Sequence, residues 1–362
     1  NGKDYVVSVV NGKGTLVADK LDAGSYAFSA KFAGNDNYNS VIDSGSFKVN
    51  KIASTMDISV DDINVGEDVT ITVSVPVDAT GDVIVTVNGE DYTVAIKDGK
   101  VVQPISGLGA GSYDVTVRYD GDNNYNNASS TAKFTVSKIN PVMDVTADDI
   151  VFGDDLIISA LLPSDINGEV IITVDGKEYT VNVVNGKVTK PISGLTAGNH
   201  NIVVKYNGND KYDSVEVSKT VNVAKANPTL DVVIADVDYN NVFTIEATLN
   251  GVNGAKLTGN VIVTINSKQY LVTVIDGKGT LEGINLPAGS YDFSARFAGN
   301  DNYNAVIDSD KFNVNKIDPI LDVSINNTQI GENTTITVNL PSDAEGNVII
   351  TIDGQNYIGA IT

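Results

Sequence analysis

The feature that most constrains this chain is an internal repeat of about 90 residues. Four segments of one pattern align along the sequence, and they begin at Leu21, Leu108, Leu195 and Leu286. The intervals between them are 87, 87 and 91 residues (108 − 21, 195 − 108 and 286 − 195). A length near 90 residues is enough for a small domain with its own core. The sequence therefore predicts a string of small domains.

The repeats are of three types, which we name A, B and C in the order in which they occur. The segment at Leu286 matches the one at Leu21 far better than it matches the two between, at an offset of 265 residues (286 − 21) that also aligns Tyr270 with Tyr5. The predicted domains are a partial type A repeat with the late strands (1–50), a type B repeat (51–138), a type C repeat (139–225), a second type A repeat (226–316) and a partial type B repeat with the early strands (317–362).

Within a repeat the local signals predict β-strands. Apolar and polar residues alternate in short runs such as Val69 to Val75, and pairs such as Asn88-Gly89 favour type I′ hairpin turns. A second hairpin is predicted at Asp98-Gly99 and at its counterparts in the other repeats. About seven strands in fewer than 90 residues indicate a two-sheet sandwich. The predicted fold class is all-β, with tandem immunoglobulin-like β-sandwich domains in a linear array.

A tyrosine near the start of each aligned segment is a candidate structural residue. The fragment L-x-A-G-S-Y resembles the tyrosine corner of immunoglobulin-like domains, in which the hydroxyl bonds the chain upstream while the ring enters the core. His200 takes this place in the type C repeat, where a ring nitrogen can make a similar bond. The predicted corner residues are Tyr26, Tyr113, His200 and Tyr291.

A second motif, Y/F-x-G-[ND]-[DN]-x-Y-[ND], completes the pattern at 32–39, 119–126, 206–213 and 297–304. Together the two motifs resemble the bacterial and archaeal immunoglobulin-like repeats of group 3, especially the tandem repeats of giant adhesin-like surface proteins in methanogenic archaea. The resemblance covers essentially the whole chain. It implies an extracellular, cell-surface location and a part in cell adhesion, and its motifs are weak evidence for any single function.

Composition limits the function classes. The net charge is −22, from 24 basic and 46 acidic side chains. This negative charge repels nucleic acid and anionic membranes. The apolar runs are too short for a transmembrane helix, so we expect no membrane insertion within this segment. The chain has one histidine and no cysteine or tryptophan, so few of the side chains that commonly act in catalysis are present. We expect a protein that is not an enzyme.

The links between repeats contain no Gly/Ser run and no acidic tail, which argues against flexible tethers. Prolines at 141, 228 and 319 fix φ and favour an extended residue before them. We therefore expect a stiff array in which each domain adds roughly 40 Å. A lysine recurs at the end of each aligned segment, which permits the hypothesis of an isopeptide bond to an Asn or Asp side chain. The alternative is that each lysine is an ordinary solvated charge at the end of a strand.

Acidic residues in the loop of the second motif are weak calcium candidates, because calcium takes six to eight oxygen ligands. The alternative is that turns simply favour Asp and Asn, and no known calcium-loop spacing is present. No cofactor is otherwise expected. The candidates are Asp36, Asp122, Asp210 and Asp301.

Three asparagines lie in N-x-S/T sequons, which suits a glycosylated surface but can also arise by chance in an Asn-rich chain. These are Asn127, Asn326 and Asn333. The recurring loop tyrosines, Tyr38, Tyr125, Tyr212 and Tyr303, are predicted to pack over the end of the sandwich, with a sugar-binding stripe as the alternative.

The sequence favours a stalk or fibre whose partners are neighbouring repeats, copies of itself, another cell or a surface glycan. A self-assembling filament, joined end to end or by strand complementation, is the alternative, because the chain opens and closes inside a repeat. The turn-like start at Asn1-Gly2-Lys3 favours the simpler account of a window from a longer repetitive protein. A third hypothesis is a carbohydrate-binding accessory region of a secreted enzyme.

Overall fold

The computed structural model describes residues 2–361, so Asn1 and Thr362, the outer ends of the first and last predicted repeats, lie outside it. Its regular structure is β apart from one single-turn 3₁₀ segment, Val252–Gly254. The chain divides into two compact units. One comprises the chain up to Thr146 with Ser159–Thr189 and Ile202–Lys219, and the other comprises Ala147–Ile158, Lys190–Asn201 and the chain from Thr220 onward. The repeat boundaries stay a prediction.

The first predicted repeat contributes a single hairpin. Its strands are β1 (Gly24–Phe32) and β2 (Val41–Val49), which pair antiparallel from Gly24 opposite Val49 to Phe32 opposite Val41. The rings of Tyr26 and Phe47 stack at 5.5 Å between centroids. Most side chains of this hairpin are exposed.

The type B repeat holds two sheets. Its strands are β3 (Asp57–Ser59), β4 (Ile63–Asn64), β5 (Val69–Ser74), β6 (Asp82–Val87), β7 (Glu90–Ala95), β8 (Lys100–Ile105), β9 (Gly111–Tyr119) and β10 (Ala128–Ser137). Three form the sheet β3-β5-β8, and five form the sheet β4-β10-β9-β6-β7. Pairing is antiparallel except between β4 and β10. The first strand is thus divided between the sheets, which explains why eight strands occur instead of about seven.

The core of the type B repeat lies between these two sheets. Alternate side chains of β5 and β6 point inward and are almost completely buried, as the period of two in a strand requires. The buried set takes Val69, Ile71 and Val73 from one sheet and Val83, Val85, Val87, Val115, Val117 and Phe134 from the other. The predicted immunoglobulin-like sandwich is confirmed.

The type C repeat contributes strands to both compact units. Its strands are β11 (Asp144–Thr146), β12 (Ile150–Val151), β13 (Leu156–Leu161), β14 (Gly168–Val174), β15 (Lys177–Val183), β16 (Lys187–Ile192), β17 (Gly198–Tyr206) and β18 (Val215–Ala224). In the first unit, β14 pairs antiparallel with β15 and with β17. In the second unit, β12 pairs parallel with β18.

The second type A repeat lies in the second unit and repeats the two-sheet plan. Its strands are β19 (Thr229–Ile234), β20 (Val237–Asp238), β21 (Thr244–Asn250), β22 (Gly259–Ile265), β23 (Lys268–Val274), β24 (Lys278–Glu282), β25 (Gly289–Phe297) and β26 (Val306–Asn315). The sheets are β19-β21-β24 and β20-β26-β25-β22-β23. Phe243 and Phe312 are its largest fully buried side chains.

The last predicted repeat forms two separate antiparallel pairs. Its strands are β27 (Asp322–Ile325), β28 (Ile336–Asn339), β29 (Asn347–Ile352) and β30 (Gln355–Ala360). β27 pairs with β28, and β29 pairs with β30. Among residues 2–361, no helix is long and apolar enough to cross a bilayer.

Both predicted turns are present, but the second one connects strands of different sheets. Asn88 and Gly89 have φ of 51° and 82°, which confirms the type I′ turn between β6 and β7. Asp98 and Gly99 also have positive φ, and a single residue pair, Lys97 with Lys100, closes that turn. The turn carries the chain from β7 in the five-stranded sheet to β8 in the three-stranded sheet. It is therefore a connection between sheets and not an ordinary hairpin.

Candidate functional site

The clearest built feature is a loop between the last two long strands of each repeat, which we call the asparagine-rich loop (residues 32–39, 119–126, 206–213 and 297–304). The fourth residue of each loop accepts hydrogen bonds at Oδ1 from the backbone N–H groups two and three residues later, at 2.7 to 3.0 Å. This is an Asx turn, the reason that Asp and Asn favour such positions. The four residues are Asn35, Asp122, Asn209 and Asn300.

The loop tyrosine closes the end of each sandwich that is complete in the chain. Tyr125, Tyr212 and Tyr303 are buried, with 5 to 8% of their surface exposed, whereas Tyr38 in the partial first repeat is 71% exposed. The hydroxyl of Tyr125 donates to Asp78 at 2.5 Å, and that of Tyr212 donates to Asp165 at 2.8 Å. A buried ring cannot stack on a sugar, so this geometry favours packing at the three complete repeats.

The first residues of each repeat form backbone hydrogen bonds with the asparagine-rich loop of the same repeat. The backbone N–H of Ile52 donates to the carbonyl of Asn124, and Asn126 N–H donates back to the carbonyl of Ile52. Ile139 and Ala226 make the equivalent pair of bonds with their own loops. The first residues after each link are therefore held by backbone bonds, and prolines at 141 and 228 favour an extended chain after Ile139 and Ala226.

The four calcium candidates are not equivalent. Asp122 is the fourth residue of its loop, whereas Asp36, Asp210 and Asp301 are the fifth residues of theirs and are exposed. Both oxygens of Asp122 already accept hydrogen bonds, since Oδ2 takes the N–H and hydroxyl of Thr80. Within residues 2–361, no three His, Asp or Glu side chains converge as metal ligands do. Calcium binding stays a prediction.

The carboxyl group of Asp122 has an unusual environment. Burial by itself raises its pKa, but hydrogen bonds from the backbone of Thr80, Asn124 and Tyr125 outweigh that effect and hold the pKa well below its usual range. At Asp165, hydrogen bonds from Lys211 and then Tyr212 lower the pKa of the carboxyl. Both groups serve as acceptors for their own repeats.

The predicted corner residues all bond the carbonyl four residues earlier. The hydroxyl of Tyr26 donates to Asp22, that of Tyr113 to Gly109 and that of Tyr291 to Pro287, at 2.7 to 2.9 Å. In the type C repeat, Nε2 of His200 lies 2.7 Å from the carbonyl oxygen of Thr196, and the side chain is 7% exposed. The geometry places the histidine in the tyrosine's structural position.

The other candidates lie on the surface. Asn127, Asn326 and Asn333 are all exposed, and their glycosylation stays a prediction. Nζ of Lys51 donates to the carbonyl of Asp122, and Nζ of Lys225 donates to the carbonyl of Asn300, each at 2.6 Å. Both acceptors are backbone oxygens, so the structure gives these lysines a noncovalent partner.

One set of structural residues was missed from the sequence. Asp62, Asp149 and Asp236 each accept the backbone N–H of a residue on the last strand of their repeat, at 2.6 to 2.7 Å. They follow one another at 87 residues (149 − 62 and 236 − 149). Their regular spacing could have indicated a structural role, but the chain has many other acidic residues from which this spacing does not distinguish them.

Comparison with known proteins bears on the fold. Residues 57–137 match the family model of the bacterial Ig-like domain (group 3). The match covers the type B repeat. No curated protein matches the sequence of the chain.

Among solved structures, invasin, a bacterial integrin-binding protein, is similar over 84% of this chain and 73% of its own, with 15% identity and a TM-score of 0.36. A 1.5-MDa bacterial ice-binding adhesin is similar over 74% of this chain and 99% of its own, with 15% identity and a TM-score of 0.32. Immunoglobulin domains 1–5 of sidekick-1 are similar over 86% of this chain and 71% of theirs, with 13% identity and a TM-score of 0.32.

Proposed function

We propose that this chain is an extracellular structural repeat region of a cell-surface adhesin-like protein, in which it acts as a stiff stalk or fibre for adhesion. The observation that carries the proposal is the succession of sandwiches of one plan, one of which matches the group 3 bacterial Ig-like family. The Asx-turn residues of the loops and the corner side chains bond the backbone of their own repeats. Such side chains build a scaffold.

The proposal includes several finer points. The array has no catalytic activity and no obligatory cofactor, and calcium stiffens it if the acidic loops bind the ion. Its partners are neighbouring repeats or copies of itself, and through a distal region another cell or a surface glycan. The resemblance to the surface repeats of methanogenic archaea supports an archaeal source. The net charge of −22 keeps such an array soluble.

A self-assembling filament, joined end to end or by strand complementation, is the second candidate.

The test of location is antibody labelling of the source cells. An antibody raised against the whole chain is expected to label intact cells, and protease added outside the cells is expected to remove the label. An antibody to a cytoplasmic protein, which should label only permeabilised cells, is the control. Labelling that requires permeabilisation would contradict the extracellular assignment.

A further inference from the structure

The type A repeat carries a four-residue insertion in the connection between its strands β21 and β22. From Ile71 to Val83 the type B repeat has 12 positions (83 − 71), whereas from Ile245 to Val261 the type A repeat has 16 (261 − 245). The insertion accounts for the interval of 91 residues in place of 87. It contains the single turn Val252–Gly254.

The inserted turn contacts the type C repeat. The side-chain Nδ2 of Asn253 donates to the carbonyl of Gly153 at 3.3 Å. Cγ2 of Val252 lies 2.6 Å from the point that a Cβ on Gly153 would occupy, and Gly153 has a φ of 100°. Only glycine leaves room for the turn at this point.

An aromatic contact lies beside the turn. Phe152 meets the loop tyrosine Tyr303 edge to face, with 5.3 Å between ring centroids and 76° between ring planes. Although Phe152 belongs to the type C repeat, it packs against the hydrophobic core of the type A repeat. Such a pair adds stabilisation beyond the area that it buries.

Polar bonds complete this joint. The backbone N–H of Ala197 donates to Oδ1 of Asn302 at 2.9 Å, and Nζ of Lys225 donates to the carbonyl of Asn300 at 2.6 Å. The Nδ2 group of Asn304 donates to the carbonyl of Lys225 at 3.2 Å. Residues of both repeats therefore share one continuous set of contacts.

The link between the type B and type C repeats differs. Lys211 stands where Asn124 and Asn302 stand in the other loops, and an ammonium group cannot accept a backbone N–H. Its Nζ instead pairs with Asp165 of its own repeat at 2.7 Å. Within the first compact unit, the described hydrogen bonds include none from 51–138 to the type C residues of that unit.

We propose that the insertion of the type A repeat is a docking element that fits a type C repeat, so that the joint from C to A is fixed while the joint from B to C bends. Phe152 and Gly153 of the type C repeat form the surface that receives the insertion, and Asn302 of the type A loop adds a polar bond to Ala197. The inference concerns an interface within the array and holds for a stalk and for a filament alike. Its failure would leave the proposed function untouched.

Spin-label distances in the full chain test the proposal. The chain has no cysteine, so pairs of labels can be attached at exposed positions within each compact unit. Thr131 and Ser218 report on the joint from B to C in the first unit, and Thr220 and Lys311, each two residues further along the equivalent strand, report on the joint from C to A in the second. The expected result is a narrow distance distribution for the pair 220/311 and a broad one for the pair 131/218. Equal widths for the two pairs would overturn the proposal.

Two sets of substitutions assign the effect to the joint. V252S/N253G and, separately, F152A are expected to widen the 220/311 distribution, with no change at 131/218. L271S, which removes an exposed apolar side chain elsewhere in the same repeat, is the control and should change neither distribution. A 220/311 distribution as narrow as in the unmodified chain in both joint variants, with folding verified by circular dichroism, would contradict the docking role.

Limited trypsin digestion gives a second measurement. The peptide bond after Lys138 should be cut before the bond after Lys225, because Lys225 is held by its bond to Asn300 and by the joint around it. In V252S/N253G the cut after Lys225 should accelerate, because the inserted turn no longer holds the joint. Earlier cutting at Lys225 in the unmodified chain would contradict the proposal.

Discussion

At the scale of single residues, the corner tyrosines show how one hydroxyl fixes the start of a long strand. Tyr291 bonds the carbonyl of Pro287 and stacks its ring on Phe312 at 5.6 Å, and Tyr113 does the same with Gly109 and Phe134. In the type C repeat both members of the ring pair differ, since His200 and Val221 take their places. In this repeat, therefore, the smaller histidine ring occurs together with an aliphatic side chain in place of phenylalanine.

Removal of the corner hydroxyl should destabilise the type A repeat. Tyr291 is 8% exposed, so Y291F leaves the Pro287 carbonyl without its partner at a cost of about 1 kcal/mol. Native-state hydrogen exchange of the β25 amides measures the loss region by region. Y38F, on a ring that is 71% exposed, should leave exchange unchanged. Unaltered protection of β25 in Y291F would refute the corner assignment.

The depressed pKa of Asp122 gives the type B repeat an acid dependence. A carboxyl whose pKa is lowered by folding stabilises the fold above its unfolded pKa of about 3.9, and that stabilisation is lost as the pH falls through the folded pKa. The amide protons of Asn124 and Tyr125, which bond Oδ1, should therefore keep their chemical shifts at pH 4 and move only at lower pH.

D122N supplies the comparison for this titration. Asparagine keeps the Oδ1 acceptor, as Asn35, Asn209 and Asn300 do in the other loops, but it cannot be protonated in this range. The shift changes at Asn124 and Tyr125 should disappear in D122N and persist in D61N, a control at an exposed aspartate. Movement of the wild-type amides near pH 4 would mean that the carboxyl has an ordinary pKa.

At the scale of elements, the tight loop depends on a glycine in the left-handed region. Gly121 has a φ of 82°, and a Cβ there would lie 2.6 Å from the carbonyl oxygen of Tyr125. G121A should destabilise the type B repeat by more than about 1 kcal/mol, because alanine meets both backbone strain and a clash.

Gly109 is the matched control for that substitution. It lies in the same repeat, and no atom lies within 4 Å of a Cβ built on it. G109A should be neutral or slightly stabilising, because alanine reduces the freedom of the unfolded chain. Hydrogen exchange of β9 and β10 measures both variants. Equal protection in G121A and G109A would show that the loop does not require glycine.

The strands themselves followed from the sequence, whereas their distribution between sheets did not. Alternation in Val69 to Val75 and the pair Asn88-Gly89 predicted β5 and the turn after β6. The division of the first strand into β3 and β4 could not be predicted, because strands of three and two residues are too short to show a period. The passage from β7 to β8 between sheets depends on packing across the sandwich, which local turn chemistry does not encode.

The candidate site was predictable only where one residue carries its own signal. The tyrosine corner belongs to a fragment that fixes both the hydroxyl and its acceptor four residues away. The role of Asp122 needed the fold, since Thr80 is 42 residues away in sequence. The contact of the inserted turn with Gly153 spans 100 residues, and the interval of 91 residues alone did not indicate its purpose.

At the scale of the whole molecule, the repeats share one plan of strands, and the type A repeat differs by its inserted turn. Charge is spread along the array, and 46 acidic against 24 basic side chains disfavour lateral association. Calcium bound at the acidic loops would add stiffness.

Electron microscopy of the native material, imaged with calcium and again after chelation, tests whether the chain is part of a stalk. A stalk predicts discrete rods of fixed length, each anchored to the cell at one end. If calcium stiffens the array, chelation should leave the length unchanged and increase the curvature. Continuous fibres with a domain-scale axial repeat and no anchored end would contradict the stalk and make assembly the function.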